Sequence, residues 1–195
     1  SKNGKPWIVL GKGPSSDRHK SVKWGNYNVV TLNHACKLVE PAIANFVDLE
    51  PYRECTPLLL KYQNTSVCLP WHPHLMMKPS EMTLKDVIES ERAAGMRKIT
   101  EERFVSYNAT IHFKLSQQIA LPTVRLRSFS AVVVFNYLAG ANVKTIFSLG
   151  VDGGTSYGSN FDTKDLLKNG RKTFGVQDAE ISRTIRIHKI DWKRL

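Results

Sequence analysis

Short apolar runs that stop at glycine, proline or acidic residues divide the first half of the chain. These runs lie at 6–11 (PWIVLG), 27–33 (YNVVTLN), 42–50 (AIANFVDLE) and 66–71 (SVCLPW). Each is apolar at consecutive positions, which is typical of strands that are buried on both faces. The pattern therefore predicts four buried strands in this half.

The second half mixes helical and extended patterns. Residues 81–98 have the charge density and apolar spacing of an amphipathic helix, with Ser80 and Thr83 as candidate caps. Residues 128–141 begin with serines and stop at Gly140, which predicts a buried helix. Strands are predicted at 103–110, at 143–154, where the run continues into a glycine-rich loop, and at 184–193.

Strands that alternate with helical or irregular crossovers predict an α/β fold, Rossmann-like, with a mainly parallel sheet flanked by helices. We assign residues 1–195 to one such domain, because the length suits one core. Ligands of such sheets bind beyond the carboxyl ends of the strands. Four segments that leave strands are therefore expected on one cleft: 11–17 (GKGPSSD), 33–36 (NHAC), 48–52 (DLEPY) and 150–158 (GVDGGTSYG).

The charge balance indicates an anionic partner. Lysine and arginine number 28 against 17 acidic residues, which gives a formal net charge of +11. Such an excess attracts polyanions, for example nucleic acid or an acidic glycan. The basic residues are scattered and include Arg125, Arg127 and several between 164 and 172. An anion-binding surface must therefore be assembled by the fold.

The cysteines indicate a reducing compartment. Cys36, Cys55 and Cys68 show no CxxC spacing and are odd in number, so we interpret them as packing residues of a cytoplasmic protein. No run of about 20 apolar residues, the length of a membrane-spanning helix, occurs in the sequence.

The glycine turn after the first run has the composition of an anion site. Gly11 and Gly13 allow a tight turn and a close approach to a ligand. Pro14 suits the first turn of a helix, where Ser15 supplies a hydroxyl and an amide. The spacing matches neither the dinucleotide fingerprint nor a P-loop, and a tight turn without a ligand fits it as well.

Two other exits carry titratable side chains. Asp152 directly follows a strand, where a carboxylate can orient a ribose hydroxyl, hold a metal or act as a base; a solvated turn is the alternative. His34 follows Asn33 and is a candidate base, with capping or packing as the alternative. Asp48 and Asp152 are a candidate Mg²⁺ pair; otherwise no cofactor is expected.

Taken together, four segments resemble the bacterial CMP-sialic-acid-dependent sialyltransferases of glycosyltransferase family 42 in order and rough spacing. They also resemble the wider GxGPS Rossmann-like group that includes the pyrophosphokinases of methanopterin synthesis. The segments are 9–16 (VLGKGPSS), 30–35 (VTLNHA), 128–152 (SFSAVVVFNYLAGANVKTIFSLGVD) and 156–163 (SYGSNFDT).

The resemblance implies a nucleotide cleft and a role for each matching position. The matching residues are Gly11, Gly13, Pro14 and Ser15 near the donor phosphates, Asn33 on the nucleotide, Ser128 and Ser130 at a helix start, Gly150 and Asp152 near base and ribose, and Tyr157 on the leaving phosphate.

Three positions depart from the family. Lys12 replaces an asparagine of the first loop and adds a charge that suits phosphate. Asp48 stands where the sialyltransferases have an asparagine after the third strand, as in the wider group. Val176 and Gln177 occupy the place of the family's general-base histidine. We therefore expect the base among Asp48, Asp152 and His34.

The leading hypothesis is a nucleotide-sugar-dependent, sialyltransferase-like glycosyltransferase. Its acceptor is expected to be polyanionic, such as modified DNA or an acidic glycan, because of the net charge. A nucleotide pyrophosphokinase-like enzyme is one alternative, favoured by Lys12 and Asp48. A non-catalytic nucleotide- or nucleic-acid-binding module is the other, favoured by the missing histidine.

Overall fold

A computed structural model describes residues 3–76, 78–96, 99–110, 121–124, 130–154, 156–161 and 176–195. Its strands are β1 (Trp7–Leu10), β2 (Asn28–Leu32), β3 (Ile43–Asn45), β4 (Ser66–Pro70), β5 (His74–Leu75), β6 (Lys78–Pro79), β7 (Phe104–Ala109), β8 (Thr123–Val124), β9 (Thr145–Leu149) and β10 (Asp191–Arg194). Its α-helices are α1 (Leu49–Leu59), α2 (Leu84–Ala93), α3 (Ser130–Gly140) and α4 (Val176–His188).

Eight of these strands form one sheet in the order β10-β9-β1-β2-β3-β4-β7-β8. Each neighbouring pair in this sheet is parallel, whereas β5 and β6 form a separate antiparallel pair. Parallel neighbours require crossovers, and helices supply several of them. The predicted α/β fold with a parallel sheet is confirmed.

Helices cover both faces of the sheet. On one face Val9, Val30 and Ile146 pack in the same cluster as α3 and Ile181 of α4. On the other face α1 and α2 pack over a cluster that includes Phe46. Burial on both faces explains why the strands are continuous apolar runs rather than alternating ones.

Most predicted elements are confirmed, with ends that shift by a few residues. The amphipathic helix is α2, and Thr83 is its N-cap. The Thr83 hydroxyl accepts from the backbone N–H of Asp86, and the Asp86 carboxylate accepts from the backbone N–H of Thr83. This reciprocal pair satisfies two donors at the helix start.

Two predictions of secondary structure are wrong. The strand predicted at 42–50 ends at Asn45, and helix α1, which was not predicted, begins at Leu49. The strand predicted at 184–193 is mostly the end of α4, and only Asp191–Arg194 is extended. The alternation around Ile185 and Ile187 was misleading, because the helix buries Ile181 and leaves Ile187 61% exposed.

One arginine ties the end of α1 to the start of β7. The guanidinium of Arg103 donates to the backbone carbonyls of Leu59, Tyr62 and Thr65 at 2.7–2.9 Å. These carbonyls belong to the last turn of α1 and to the connection that follows, where helical acceptors lack partners. Arg103 therefore closes this helix end by hydrogen bonding.

The three cysteines are buried free thiols, as expected of packing residues. Among the described helices, none is long and apolar enough to cross a membrane. The cytoplasmic location and the assignment of 1–195 to one domain stay predictions.

Candidate functional site

A cavity of about 190 Å³ opens at the carboxyl ends of β9, β1 and β2 and at the start of α3. Three of the four exit segments expected there border it; the segment 48–52 does not. The predicted site residues that line it are Gly11, Lys12, Gly13, Asn33, Ser130, Gly150, Asp152 and Tyr157.

Two of these exit segments, 11–17 and 150–158, are in direct backbone contact. The N–H of Gly11 donates to Leu149 and that of Gly13 donates to Gly150, both at 2.8 Å. A Cβ at Gly11 would lie 2.2 Å from the carbonyl oxygen of Gly150, and Gly150 itself has φ +69°. Side chains cannot fit between these two turns, which explains the glycines there.

Ser15 and Asp152 bind each other behind this contact. The Ser15 amide donates to Oδ2 of Asp152 at 2.9 Å, and its hydroxyl donates to Oδ1 at 2.6 Å. The same hydroxyl accepts from the Gly150 amide at 2.7 Å. Both residues therefore hold the two exits together, and the ligand contacts that the resemblance implies for them stay predictions.

Pro14 opens the 3₁₀ helix Pro14–Ser21, in agreement with its predicted place in a first helical turn. Neither Pro14 nor Ser15 is among the residues that line the cavity. Ser128 lies outside the described residues, as do Arg125, Arg127 and the basic stretch 164–172.

Lys12 and Tyr157 lie together at the cavity. The Lys12 ammonium is 4.3 Å from the centre of the Tyr157 ring, and the Lys12 carbonyl accepts from the Gly158 amide at 2.8 Å. The ring of Tyr157 also meets Phe161 edge-on. A cation stacked on a phenol places a charge and a polar ring beside the same space.

Asn33 follows β2 directly and has a left-handed backbone, with φ 51°. It begins the 3₁₀ helix Asn33–Lys37. Its side-chain Oδ1 is buried, and no residue of the described chain donates to it. Asn33 therefore presents an unsatisfied acceptor at the wall of the cavity.

His34 lies next to Asn33 but does not line the cavity. Its Nε2 is 2.7 Å from Oε2 of Glu54 on α1. Burial lowers the pKa of His34, the hydrogen bond to Glu54 opposes this shift, and the charges of Lys12 and Lys37 lower the pKa further. The imidazole is therefore neutral at pH 7 and held by Glu54.

Asp48 lies outside the cavity wall, because α1 begins at Leu49 and the Asp48 carboxylate faces His74 instead. Asp152 is engaged by Ser15. The structure does not bring the two carboxylates together at the cavity. Within the described ranges, no group of three or more His, Cys, Asp or Glu residues is arranged to hold a metal. A need for Mg²⁺ stays a prediction.

Some lining residues were not predicted as site residues. Ser156 borders the cavity from the last exit segment, and Gln177 borders it from the first turn of α4. Gln177 was noted only as replacing a histidine. Its position at a helix start beside the glycine loop follows from α4, whose beginning the sequence pattern did not reveal.

A larger cavity of about 440 Å³ lies along the 3₁₀ helix Pro14–Ser21 and is lined by Arg18, Lys23, Tyr27 and Leu195, among others. It contains none of the predicted site residues. The smaller cavity is the better candidate site, because it combines the buried acceptor, the stacked lysine and a helix start.

No protein-family model matches the sequence. No curated protein matches it either. Two solved structures match over 98% of this chain and 81% of theirs, at 16% identity. One is the sialyltransferase CST-II in complex with a trisaccharide acceptor and CMP, with a TM-score of 0.52. The other is CstII from Campylobacter jejuni with the substrate analogue CMP-3FNeuAc, with a TM-score of 0.54.

This chain has the fold of those transferases. At 16% identity the likeness concerns the fold and not the activity. The resemblance to family 42 is thus supported at the level of structure, whereas the wider GxGPS group is absent from these two matches.

Proposed function

We propose that the protein is a nucleotide-sugar glycosyltransferase whose nucleotide occupies the cavity at β9, β1 and β2. The observation that carries this proposal is Oδ1 of Asn33, a buried acceptor without a donor at the cavity wall. An unsatisfied buried polar atom costs about 1–3 kcal/mol, so a ligand N–H or O–H that reached it would bind favourably. Nucleobases and riboses offer such donors.

The cavity also favours a negative charge beside that donor. Lys12 supplies an ammonium, and the first turn of α3 begins at Ser130 on the same wall. A helix start attracts anions through its free amides and its dipole. A nucleoside phosphate combines the polar donors and the charge that these groups select.

The reaction that suits these groups is transfer of a sugar from the nucleotide to an acceptor hydroxyl. The bond between the anomeric carbon and the phosphate oxygen breaks, and the negative charge grows on the departing phosphate. Lys12 and the hydroxyl of Tyr157 would stabilise that charge. The likeness to transferases that bind CMP and CMP-3FNeuAc supports this choice over other nucleotide chemistry.

Thermal unfolding with CMP, UMP, UDP, GDP and ATP, each with and without Mg²⁺, tests the nucleotide site. A ligand at a hundred times its dissociation constant adds about 2.7 kcal/mol of apparent stability. One nucleotide is expected to raise the Tm of the wild type, and Asn33→Gly is expected to lose most of that rise.

The glycine variant isolates the amide, because glycine accepts the left-handed backbone of Asn33. Asn142→Gly is the matched control: Asn142 has φ 60°, is exposed and lies outside the cavity. Equal losses in both variants, or no Tm rise with any nucleotide, would contradict the proposal. A rise with ATP that strictly requires Mg²⁺ would instead favour the pyrophosphokinase alternative.

For the acceptor we propose a polyanion. The net charge of +11 and the larger cavity, which carries Arg18 and Lys23, support this choice. Binding of a short DNA duplex and of heparin is expected to weaken steeply with salt, and Lys23→Gln should flatten the salt dependence by about one unit of slope. Salt-independent binding, or no binding at low salt, would exclude a polyanionic acceptor.

A further inference from the structure

Asp17 ends the first exit segment and binds residues that are far from it in the sequence. Its Oδ1 accepts from the backbone amide of Ser159 at 2.7 Å, from the Ser159 hydroxyl at 3.0 Å and from the side-chain amide of Asn160 at 3.3 Å. Hydrogen bonds to a carboxylate are stronger than those between neutral groups. One carboxylate oxygen therefore docks the segment 156–161 on the 3₁₀ helix Pro14–Ser21.

The backbone of this segment is docked closely as well. The Gly158 amide donates to the Lys12 carbonyl at 2.8 Å. A Cβ at Gly158 would overlap Oγ of Ser16 and would lie 2.7 Å from Oδ1 of Asp17, so a glycine is needed for this approach. Phe161 packs in the apolar cluster at the ends of β1 and β9. The segment is thus attached at several points, and Asp17 supplies the side-chain acceptor.

The docked segment carries Tyr157 to the candidate site. Tyr157 lines the cavity, and its ring centre lies 4.3 Å from the Lys12 ammonium and 6.5 Å from the ring centre of Phe161. Because Tyr157 is two residues before Ser159, a displacement of the docked residues would also displace the phenol. Asp17 itself is not among the residues that line the cavity. It therefore acts on a ligand through the segment and not by contact.

We infer that Asp17 is a positioning residue for the groups that bind the phosphate of the nucleotide. The inference rests on the proposed transferase function, in which Lys12 and Tyr157 stabilise the departing phosphate. By docking the segment 156–161, Asp17 holds the phenol and the ammonium stacked on it beside the cavity before the ligand binds. Groups that are already held in place lose less freedom on binding, so this arrangement strengthens their contact with the phosphate.

Binding of a nucleotide and of its nucleoside tests this role without knowledge of the sugar or the acceptor. The probes are CMP and cytidine, UMP and uridine, GMP and guanosine, and AMP and adenosine, and the readout is Kd from titration calorimetry. The wild type is expected to bind one nucleotide more tightly than its nucleoside. Asp17→Ala is expected to weaken that nucleotide about tenfold, comparable to one hydrogen bond to a charged group, and to change the nucleoside less than about threefold.

Two further variants separate positioning from a role in folding. Asp17→Asn keeps an oxygen acceptor and is expected to recover part of the affinity that Asp17→Ala loses. In a double-mutant cycle, Asp17→Ala is expected to weaken the nucleotide less than about threefold when Tyr157→Ala is present, because the segment then carries no phenol. A role in folding alone would lower Tm, weaken nucleotide and nucleoside alike, and give the same loss in both backgrounds.

Hydrogen exchange measures the docking directly and needs no ligand. Peptides that cover 156–161 are expected to exchange about tenfold faster in Asp17→Ala than in the wild type, because the Ser159 amide loses its acceptor. Asp191→Ala is the matched control. Asp191 is also an exposed aspartate, but it lies on β10, is 3.0 Å from Lys193 and does not line the cavity. Its variant is expected to keep the wild-type exchange of 156–161 and the wild-type Kd.

The outcomes separate this inference from the function on which it rests. Unchanged exchange in Asp17→Ala, equal losses of affinity in Asp17→Ala and Asp191→Ala, or additive losses with Tyr157→Ala would overturn the inference and leave the nucleotide site standing. Failure of the wild type to bind any of the four nucleotides would overturn the proposed function, and the inference with it.

Discussion

The two halves of the sheet's carboxyl edge treat buried polar groups differently. At the exits of β9 and β1, Ser15, Asp152 and the Gly150 amide satisfy one another through short hydrogen bonds. Toward β3, β4 and β7, polar atoms are buried without donors or acceptors among the described residues. These are both amide atoms of Asn45 and the hydroxyls of Tyr107 and Tyr137.

The second set lies in one region. Asn45 is opposite Cys68 across β3 and β4, and Tyr107 and Tyr137 pack in the cluster that contains Cys68. Burial raises the pKa of both phenols, so they stay neutral. An unpartnered buried group costs about 1–3 kcal/mol. The contact among Ser15, Asp152 and Gly150 is therefore satisfied within the protein, whereas the groups near β3, β4 and β7 have no partner among the described residues.

Gly11→Ala gives the largest expected effect, because it disrupts the close backbone contact between the exits of β1 and β9. The new Cβ would lie 2.2 Å from a backbone oxygen that cannot turn away. We expect a loss of about 3 kcal/mol or more in the free energy of unfolding, measured by urea denaturation.

Gly140→Ala is the control for this change. A Cβ at Gly140 meets nothing within 4 Å, and the residue ends helix α3. Stability is expected to stay the same or to rise by up to about 1 kcal/mol. Equal behaviour of the two variants would show that the turns at Gly11 and Gly150 are not rigidly packed.

Ser15→Ala tests the hydrogen bonds of the same half. The change leaves Oδ1 of Asp152 and the amide of Gly150 without their partner. We expect a loss of about 2–3 kcal/mol, because one of the two bonds involves a carboxylate. In a double-mutant cycle with Asp152→Ala the two losses should not add. Additive losses would mean that the contact contributes little.

The pH dependence of stability tests His34 and His74, two histidines whose pKa is lowered by burial. Burial lowers the pKa of both His34 and His74 below the ordinary 6.5, so the unfolded chain binds more protons in that range. Stability is therefore complete above pH 6.5 and falls as the pH drops below it. Urea denaturation between about pH 5 and 7 should show a smaller slope in His34→Gln and in His74→Gln.

Tyr107→Phe gives the smallest expected effect and tests the buried polar groups near β3, β4 and β7 that lack described partners. Removing a hydroxyl that has no described partner is expected to raise stability by up to about 1 kcal/mol. Tyr52→Phe is the contrast, because the buried Tyr52 hydroxyl donates to Glu91 at 3.2 Å, and its loss should cost about 1 kcal/mol. Destabilisation by Tyr107→Phe would mean that bound water already satisfies this hydroxyl.

The buried strands were predictable because both of their faces are covered. Continuous apolar runs with a sharp stop, such as Trp7–Leu10 before the glycine turn, favour buried strands. Helix α1 was not predictable in the same way: its Pro57 argues against a helix interior, and its first buried position, Leu49, falls in the same apolar run as β3. Packing against the sheet stabilises it, together with the hydrogen bond from Arg103 to the Leu59 carbonyl at its end.

The site was predictable at the glycine turns and at Asn33, where local backbone demands select the residue types. The contacts of the titratable groups could not be predicted from the sequence. Asp152 meets Ser15 across 137 residues, and Asp48 meets His74 through a bridge beyond the end of a strand. Such pairings depend on register between distant segments, which no local spacing encodes.

The central position of β1 bears on synthesis of the chain. β1 pairs with β2 on one side, and on the other side Trp7 lies opposite Ile146 of β9. At about 5–20 residues per second, translation leaves this side open for roughly ten seconds before β9 is made. An unpaired strand edge is a template for association with other chains. In the nascent protein this edge of β1 therefore stays open to such association until the sequence around Thr145–Leu149 has left the ribosome.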